Sequence, residues 1–211
     1  FKNFSIKQDK CAMKVGTDSV ALGAWVKSES PKEILDIGTG TGIIALMMAQ
    51  KYPSSHITAI EIDTLATEQA IENVKITPWK DRIEILNISF QEYASKSNKK
   101  FDIIVTNPPY FNDSLKNPDC RKKIARHTDT LTYHELITNS SKLLTEQGEL
   151  FMIIPTTSLS TIDEEAIYSG IHKSKICSLQ TTPEKPVKRY LVSFKKKKEE
   201  QITNSNLCIN S

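Results

Sequence analysis

At 211 residues, 25% of them charged, the chain is long enough to bury a sizeable core and is most economically one domain. Its four scattered cysteines, Cys11, Cys120, Cys177 and Cys208, form no Cys-x-x-Cys pair, and no apolar run or signal-peptide pattern suggests a bilayer span or export; a zinc site, a disulfide framework and a membrane anchor are argued against, and a reduced cytoplasmic protein is expected. The net charge is +3, yet residues 116–127 carry +4 and residues 173–198 carry +8 against −9 elsewhere, a polarity that suits either an anionic partner on one side or lysines solvated on loops.

In chain order, ILDI (34–37) reads as a short apolar strand, residues 38–42 as a glycine turn and 43–51 as a helix. A second strand at 56–60 and a second helix at 65–76 follow, with Asp63 or Thr64 placed to cap the helix. The alternation continues with strands at 82–86 and 101–106, a helix at 133–144 and a strand at 149–154. Strands separated by helices imply a parallel sheet with right-handed crossovers and helices on both faces. Ligands of such sheets lie beyond the carboxyl ends of the strands. After Ile154 the pattern changes to a helix near 162–168 and extended stretches at 174–181 and 189–195, linked by the turn-rich TPEKP (182–186). That arrangement predicts an antiparallel hairpin at the edge of a seven-stranded sheet; residues 203–210 are a candidate for one further short strand.

The turn DIGTGTG (36–42) puts small residues where a ligand can approach the backbone at the start of a helix. Its Gly-x-Gly-x-Gly spacing is not the Gly-x-Gly-x-x-Gly that cradles a dinucleotide pyrophosphate, so a nucleotide without phosphates is expected at Gly38 and Gly40. Glu61, about 20 residues further on and at the end of the second strand, suits both hydroxyls of a ribose. An adenosine without phosphates points to S-adenosylmethionine, whose cationic amino acid end suits Asp36 and the carbonyls of the turn.

Asn107-Pro108-Pro109-Tyr110 follows the fourth strand directly and so belongs to the same sheet edge. An exocyclic amine is a poor nucleophile because its lone pair is delocalised. Two acceptors, the Asn107 side-chain oxygen and the Pro108 carbonyl, would draw its two protons and favour a pyramidal nitrogen facing the methyl group. Pro108 and Pro109 fix φ and remove two N–H groups, which stiffens the strand end. The Tyr110 ring can stack on a planar base, worth roughly 1 to 3 kcal/mol. No general base is required before transfer, because the product cation is strongly acidic.

These motifs, together with CAMKVGTDSVALGAW (11–25) and ARHTDTL (125–131), resemble the class I S-adenosylmethionine-dependent methyltransferases and, more narrowly, the bacterial YfiC family of tRNA(Val) adenine N6-methyltransferases. The resemblance covers nearly the whole chain. It implies a Rossmann-like α/β fold over 1–211: a cofactor-covering segment (1–30), a cofactor-binding core (31–155) and a C-terminal helix with edge strands (156–211). It also implies N6-methylation of the adenosine just 3′ of the anticodon, residues 14–18 (Lys14, Gly16 and Thr17 above all) near the methionine end of the cofactor, and residues 107–110 around the flipped adenine, with Asn107 touching the cofactor as well. Where relatives often carry an Asp after the third strand to contact the cofactor's adenine, this chain has Ser89; Phe90 beside it is expected to pack on the adenine face.

The basic loop starting six residues after Tyr110 is expected to hold tRNA phosphates through Lys116, Arg121, Lys122, Lys123 and Arg126. His127 and His134 are read as loop and helix-cap residues, Trp25 and Trp79 as packing. No metal is expected and a monomer is. Glutamine N5 methylation of a protein poses the same lone-pair problem and stays open, as does guanine N2 methylation of ribosomal RNA. A silent RNA-binding module is opposed by the intact NPPY, and a dehydrogenase by the glycine spacing.

Overall fold

The computed structural model describes residues 1–11, 13–108 and 131–210. Eight strands form one sheet: β1 (Glu33–Ile37), β2 (His56–Glu61), β3 (Ile83–Asn87), β4 (Phe101–Thr106), β5 (Leu144–Pro155), β6 (His172–Gln180), β7 (Arg189–Lys195) and β8 (Thr203–Cys208). The order across the sheet is β3-β2-β1-β4-β5-β7-β6-β8. The first five positions are parallel; β7 runs antiparallel to both β5 and β6. The sheet therefore has one more strand than the seven expected. The extra one, β8, pairs parallel with β6, and Ile209 N–H and Asn210 N–H continue the pairing to Gln180 and Thr181 carbonyls.

The described helices are α1 (Thr17–Trp25), α2 (Ile43–Lys51), α3 (Thr64–Lys75), α4 (Phe90–Lys96), α5 (Tyr133–Leu143) and α6 (Leu159–Tyr168). Both faces of the sheet are covered, so its central strands read as nearly continuous apolar runs. Along β5, Phe151 and Ile153 pack on the face that carries α1 and α2, while Leu150, Met152 and Ile154 pack on the face that carries α4 and α5. Trp25 meets Phe151 edge to face at 5.7 Å, and Trp79 meets Phe4 in the same way; both indoles pack as expected.

Asp63 caps α3 by accepting from Ala66 N–H at 2.8 Å. The cap of α5 is Thr132, which forms a capping box with Glu135. His134 is not that cap: its Nδ1 lies 2.7 Å from Glu165 on α6. Two helices, α1 and α4, went unread in the sequence. No described helix is long and apolar enough to cross a membrane.

Candidate functional site

The carboxyl ends of β1, β2, β3 and β4 converge on one edge, and hydrogen bonds to backbone carbonyls join them there. Gly38 N–H and Thr39 N–H both donate to the Ile60 carbonyl, Thr106 Oγ1 donates to the Ile37 carbonyl, and Ile88 N–H donates to the Glu61 carbonyl. The turn after β1 takes left-handed conformations at Gly38 (φ 69°) and Gly40 (φ 56°), which glycine adopts without strain. Among the described residues, a Cβ at either position would meet nothing within 4 Å, so the turn presents bare backbone.

Asp36 lies fully buried at the end of β1. Its Oδ2 accepts from Thr39 Oγ1 at 2.6 Å and from Ala45 N–H at 3.1 Å, which ties the strand to the first turn of α2. Its Oδ1 is buried with no hydrogen-bond partner among the described residues. Burial pushes the Asp36 carboxyl up to about 7, against the lowering effect of the Thr39 and Ala45 bonds and with a smaller upward contribution from Glu61. An orphaned carboxylate oxygen beneath an open glycine turn is the feature a cationic ligand group would complete.

Glu61, ending β2, accepts from Gly40 N–H at 2.9 Å and from Asp63 N–H at 3.0 Å, one on each oxygen. Each oxygen keeps a further lone pair, so the pair of ribose hydroxyls expected there has acceptors available. Asn87 braces this corner by donating to the Glu61 and Ile62 carbonyls.

Ser89 turns out to cap α4, accepting from Glu92 N–H at 3.1 Å, so one of its lone pairs is committed within the chain. Phe90, expected on the adenine face, is instead buried in the core beside Tyr93, because as first residue of α4 its side chain turns beneath the helix. The apolar side chain exposed next to Glu61 is Ile62, 53% exposed. The sequence reading passed over it; an apolar residue directly after the acidic strand end was the available signal.

Asn107 leaves the end of β4 half-buried, and its Nδ2–H donates to Ser19 Oγ on α1 at 2.9 Å. With its nitrogen held there, the amide oxygen is fixed on the other side. Ser19 is a second residue the sequence did not flag, since the bond joins positions 88 apart. Arg189, at the start of β7, pairs with Asp18 at 3.3 Å and so docks α1 to the sheet. Gly16 and Thr17 are exposed at the start of α1, and the exposed Lys14 donates to the Gln8 carbonyl. Pro108 is buried. Pro109, Tyr110, Lys116, Arg121, Lys122, Lys123, Arg126 and His127 lie outside the described residues. Among the described residues, no cluster of three or more His, Cys, Asp or Glu side chains is placed to hold a metal ion.

A parallel sheet in this order, with a glycine turn after β1 and an acidic residue closing β2, defines the class I methyltransferase fold. Residues 11–162 match the methyltransferase small domain family, and the chain belongs to that family and, within it, to the YfiC group. It is 48% identical to the tRNA1(Val) (adenine(37)-N6)-methyltransferase of Bacteroides fragilis, over 92% of this chain and 82% of that protein. A protein of the same name from Trichodesmium erythraeum is 43% identical, over 94% of this chain and 84% of its own. Among solved structures, a predicted O-methyltransferase from Agrobacterium tumefaciens superposes with a TM-score of 0.70 at 18% identity, covering 91% of this chain and 87% of that one. TrmN from Thermus thermophilus gives 0.63 at 18% identity, covering 85% and 48%. At such identities the structural likeness speaks for the fold alone.

Proposed function

We propose that the protein is a cytoplasmic, monomeric methyltransferase that methylates N6 of adenine 37 in tRNA(Val) with S-adenosylmethionine as donor. The observation that carries this reading is Asn107, its amide nitrogen anchored by Ser19 at 2.9 Å, on the same sheet edge as the glycine turn and Glu61. The names of the relatives at 43 to 48% identity support the choice of substrate. Residues 1–211 act as one methyltransferase domain, with 1–30 covering the cofactor, 31–155 binding it and 156–211 closing the sheet.

The bound cofactor supplies an electrophilic methyl on a sulfonium sulfur. Asp36 Oδ1 and the turn carbonyls meet its ammonium end, Gly38 and Gly40 let its backbone-facing atoms approach closely, and Glu61 accepts from its ribose. Lys14, Gly16, Thr17 and Ser89 complete its surroundings. Asn107 Oδ1 and the Pro108 carbonyl accept the two amino protons of the adenine, so the nitrogen lone pair points at the methyl. Pro109 stiffens that carbonyl, and Tyr110 stacks on the base after it leaves its helix. Lys116, Arg121, Lys122, Lys123 and Arg126 hold phosphates beside it. Methyl transfer would leave a surplus proton on the product nitrogen, a strongly acidic cation that would release it to water without a general base.

The deciding experiment incubates the protein with labelled cofactor and either unmodified tRNA or a release factor, then digests and identifies the product. N6-methyladenosine from tRNA is expected; label on protein glutamine or on guanine would transfer the function to those substrates. Glu61→Gln is expected to weaken S-adenosylmethionine binding by about 10- to 100-fold, the loss of charge-assisted acceptors for two hydroxyls. Isothermal titration would measure it, and unchanged affinity would remove Glu61 from the site.

A further inference from the structure

The charge polarity seen in the sequence changes meaning once its ion pairs are located. Of the nine lysines and arginines in 173–198, five are engaged: Lys173 with Asp163, Lys175 with Glu149, Arg189 with Asp18, Lys195 with Glu199 and Lys196 with Glu146. Four have no ion pair among the described residues, and the sheet sorts them. β7 begins at the catalytic edge, where Arg189 pairs with Pro155 at the end of β5, and finishes at the opposite edge, where Lys195 pairs with Glu149. Lys185 and Lys188, in the turn before β7, therefore stand on the edge that carries Asn107. Lys197 and Lys198, after β7, stand on the other, roughly 20 Å away at about 3.4 Å per residue.

The turn 181–188 is held in place rather than merely exposed. Lys185 N–H donates to the Thr182 carbonyl, Gln180 Nε2 donates to the Lys185 carbonyl, and Asn210 N–H donates to the Thr181 carbonyl. Pro183 and Pro186 restrict its backbone further. Both lysines are exposed, and Glu184 is the single acidic residue among 181–188. Among the described residues, Asp36, Glu61 and Asp63 sit at the ends of β1 and β2, on the far side of β4, while Asp18 of α1 stands on the β7 side, where it pairs with Arg189. The edge is thus divided: an acidic half suited to a cationic cofactor, a basic half suited to a polyanion, and Asn107 between them.

Building on the function proposed above, we propose that the β6–β7 turn is a preformed phosphate-contacting surface for the tRNA, with Lys185 and Lys188 as its contacts. It acts on a stretch of RNA backbone outside the nucleotide being methylated, and it fixes the direction from which the RNA enters.

The test compares two charge reversals of equal size, Lys185→Glu with Lys188→Glu and Lys197→Glu with Lys198→Glu, in the intact protein. Binding of unmodified tRNA is followed by fluorescence anisotropy across a salt series, and cofactor affinity by titration. The turn pair is expected to weaken tRNA binding by at least tenfold and to reduce the slope of log K against log salt by about 1.5. Cofactor affinity stays unchanged, which also reports that the variant is folded. The opposite-edge pair is expected to shift tRNA binding by less than twofold. Equal losses from both pairs would mean diffuse attraction by net charge and would overturn the proposal, as would no loss from either. Because binding is read without turnover, failure here is distinct from failure to find N6-methyladenosine in tRNA.

Discussion

Asn107→Ala is expected to lower kcat by about 100- to 1000-fold while shifting cofactor affinity by no more than a few fold. That is the usual loss when one preorganised acceptor or donor aimed at developing charge is removed. The structure supplies a second handle on the same effect. Asn107 Nδ2 is tied to Ser19 Oγ at 2.9 Å, and this bond decides which way the amide oxygen points. Ser19→Ala frees the amide to rotate, and kcat is expected to fall about tenfold; Ser19→Thr, which keeps the hydroxyl, restores most of it. In the Asn107→Ala background, Ser19→Ala should cost nothing further, because the group it orients is gone. Additive losses in single-turnover kinetics would show that Ser19 acts through something other than Asn107, and a full-rate Asn107→Ala would remove the lone-pair mechanism.

This coupling shows where sequence reasoning reaches and where it stops. β1, the glycine turn and α2 were legible because an apolar run, three glycines and a helical run follow one another within 20 residues. Arg189–Lys195 was read to the residue, since its apolar residues are bounded by turn signals and a lysine run. α1 was not legible, although its family-specific residues were. It has nine residues, no side-chain cap, and it packs on α2 through Gly23, where a Cβ would come within 2.7 Å of Met47 Sδ. Only the folded partner explains that choice. α4 spans seven residues with Phe90 and Tyr93 as its buried pair, too short for a period to emerge. β8 falls within the candidate strand 203–210; it is polar and exposed over nearly its whole length, so backbone bonds to β6, not a hydrophobic pattern, make it a strand.

The site divides in the same way. Asp36, Glu61 and Asn107 could be picked out as candidates because each lies at the carboxyl end of a strand, and a parallel sheet brings such ends to one edge. Phe90 was misplaced because α4, of which it is the first residue, was not read, and Ile62 was passed over although the start of α3 beside it was read. The basic C-terminal stretch looked like one patch and is not. Its acidic partners come from α6, β5, α1 and the β7–β8 connection, segments brought together only by folding.

Asp36 gives the largest expected dependence on pH. In the unfolded chain its carboxyl titrates near 3.8; in the folded protein, burial raises it to about 7. Between those values the folded state holds a proton that the unfolded state has released. Stability from this group is therefore greatest at acid pH, falls as pH rises from about 4 to 7, and is level above 7, a change on the order of 4 kcal/mol. Cofactor binding runs the other way. With the proposed placement of the cofactor, its ammonium would need an ionised partner at Oδ1, so below pH 7 binding would have to expel the proton, and affinity is expected to rise nearly tenfold per pH unit between 5 and 7. The ammonium itself, titrating near 8, stays charged throughout that range. Asp36→Asn keeps an acceptor for Thr39 and Ala45 but places an N–H donor where Oδ1 was without a partner. Affinity for the cofactor is then expected to fall about 100-fold and to lose its pH dependence, while the pH dependence of the melting temperature flattens with it. Titration calorimetry at pH 5, 6 and 7, paired with thermal melts of the free protein, measures both slopes. If Asp36→Asn leaves either slope as it was in the parent protein, the buried carboxylate is only a brace for α2, and the cation is met by the turn carbonyls alone.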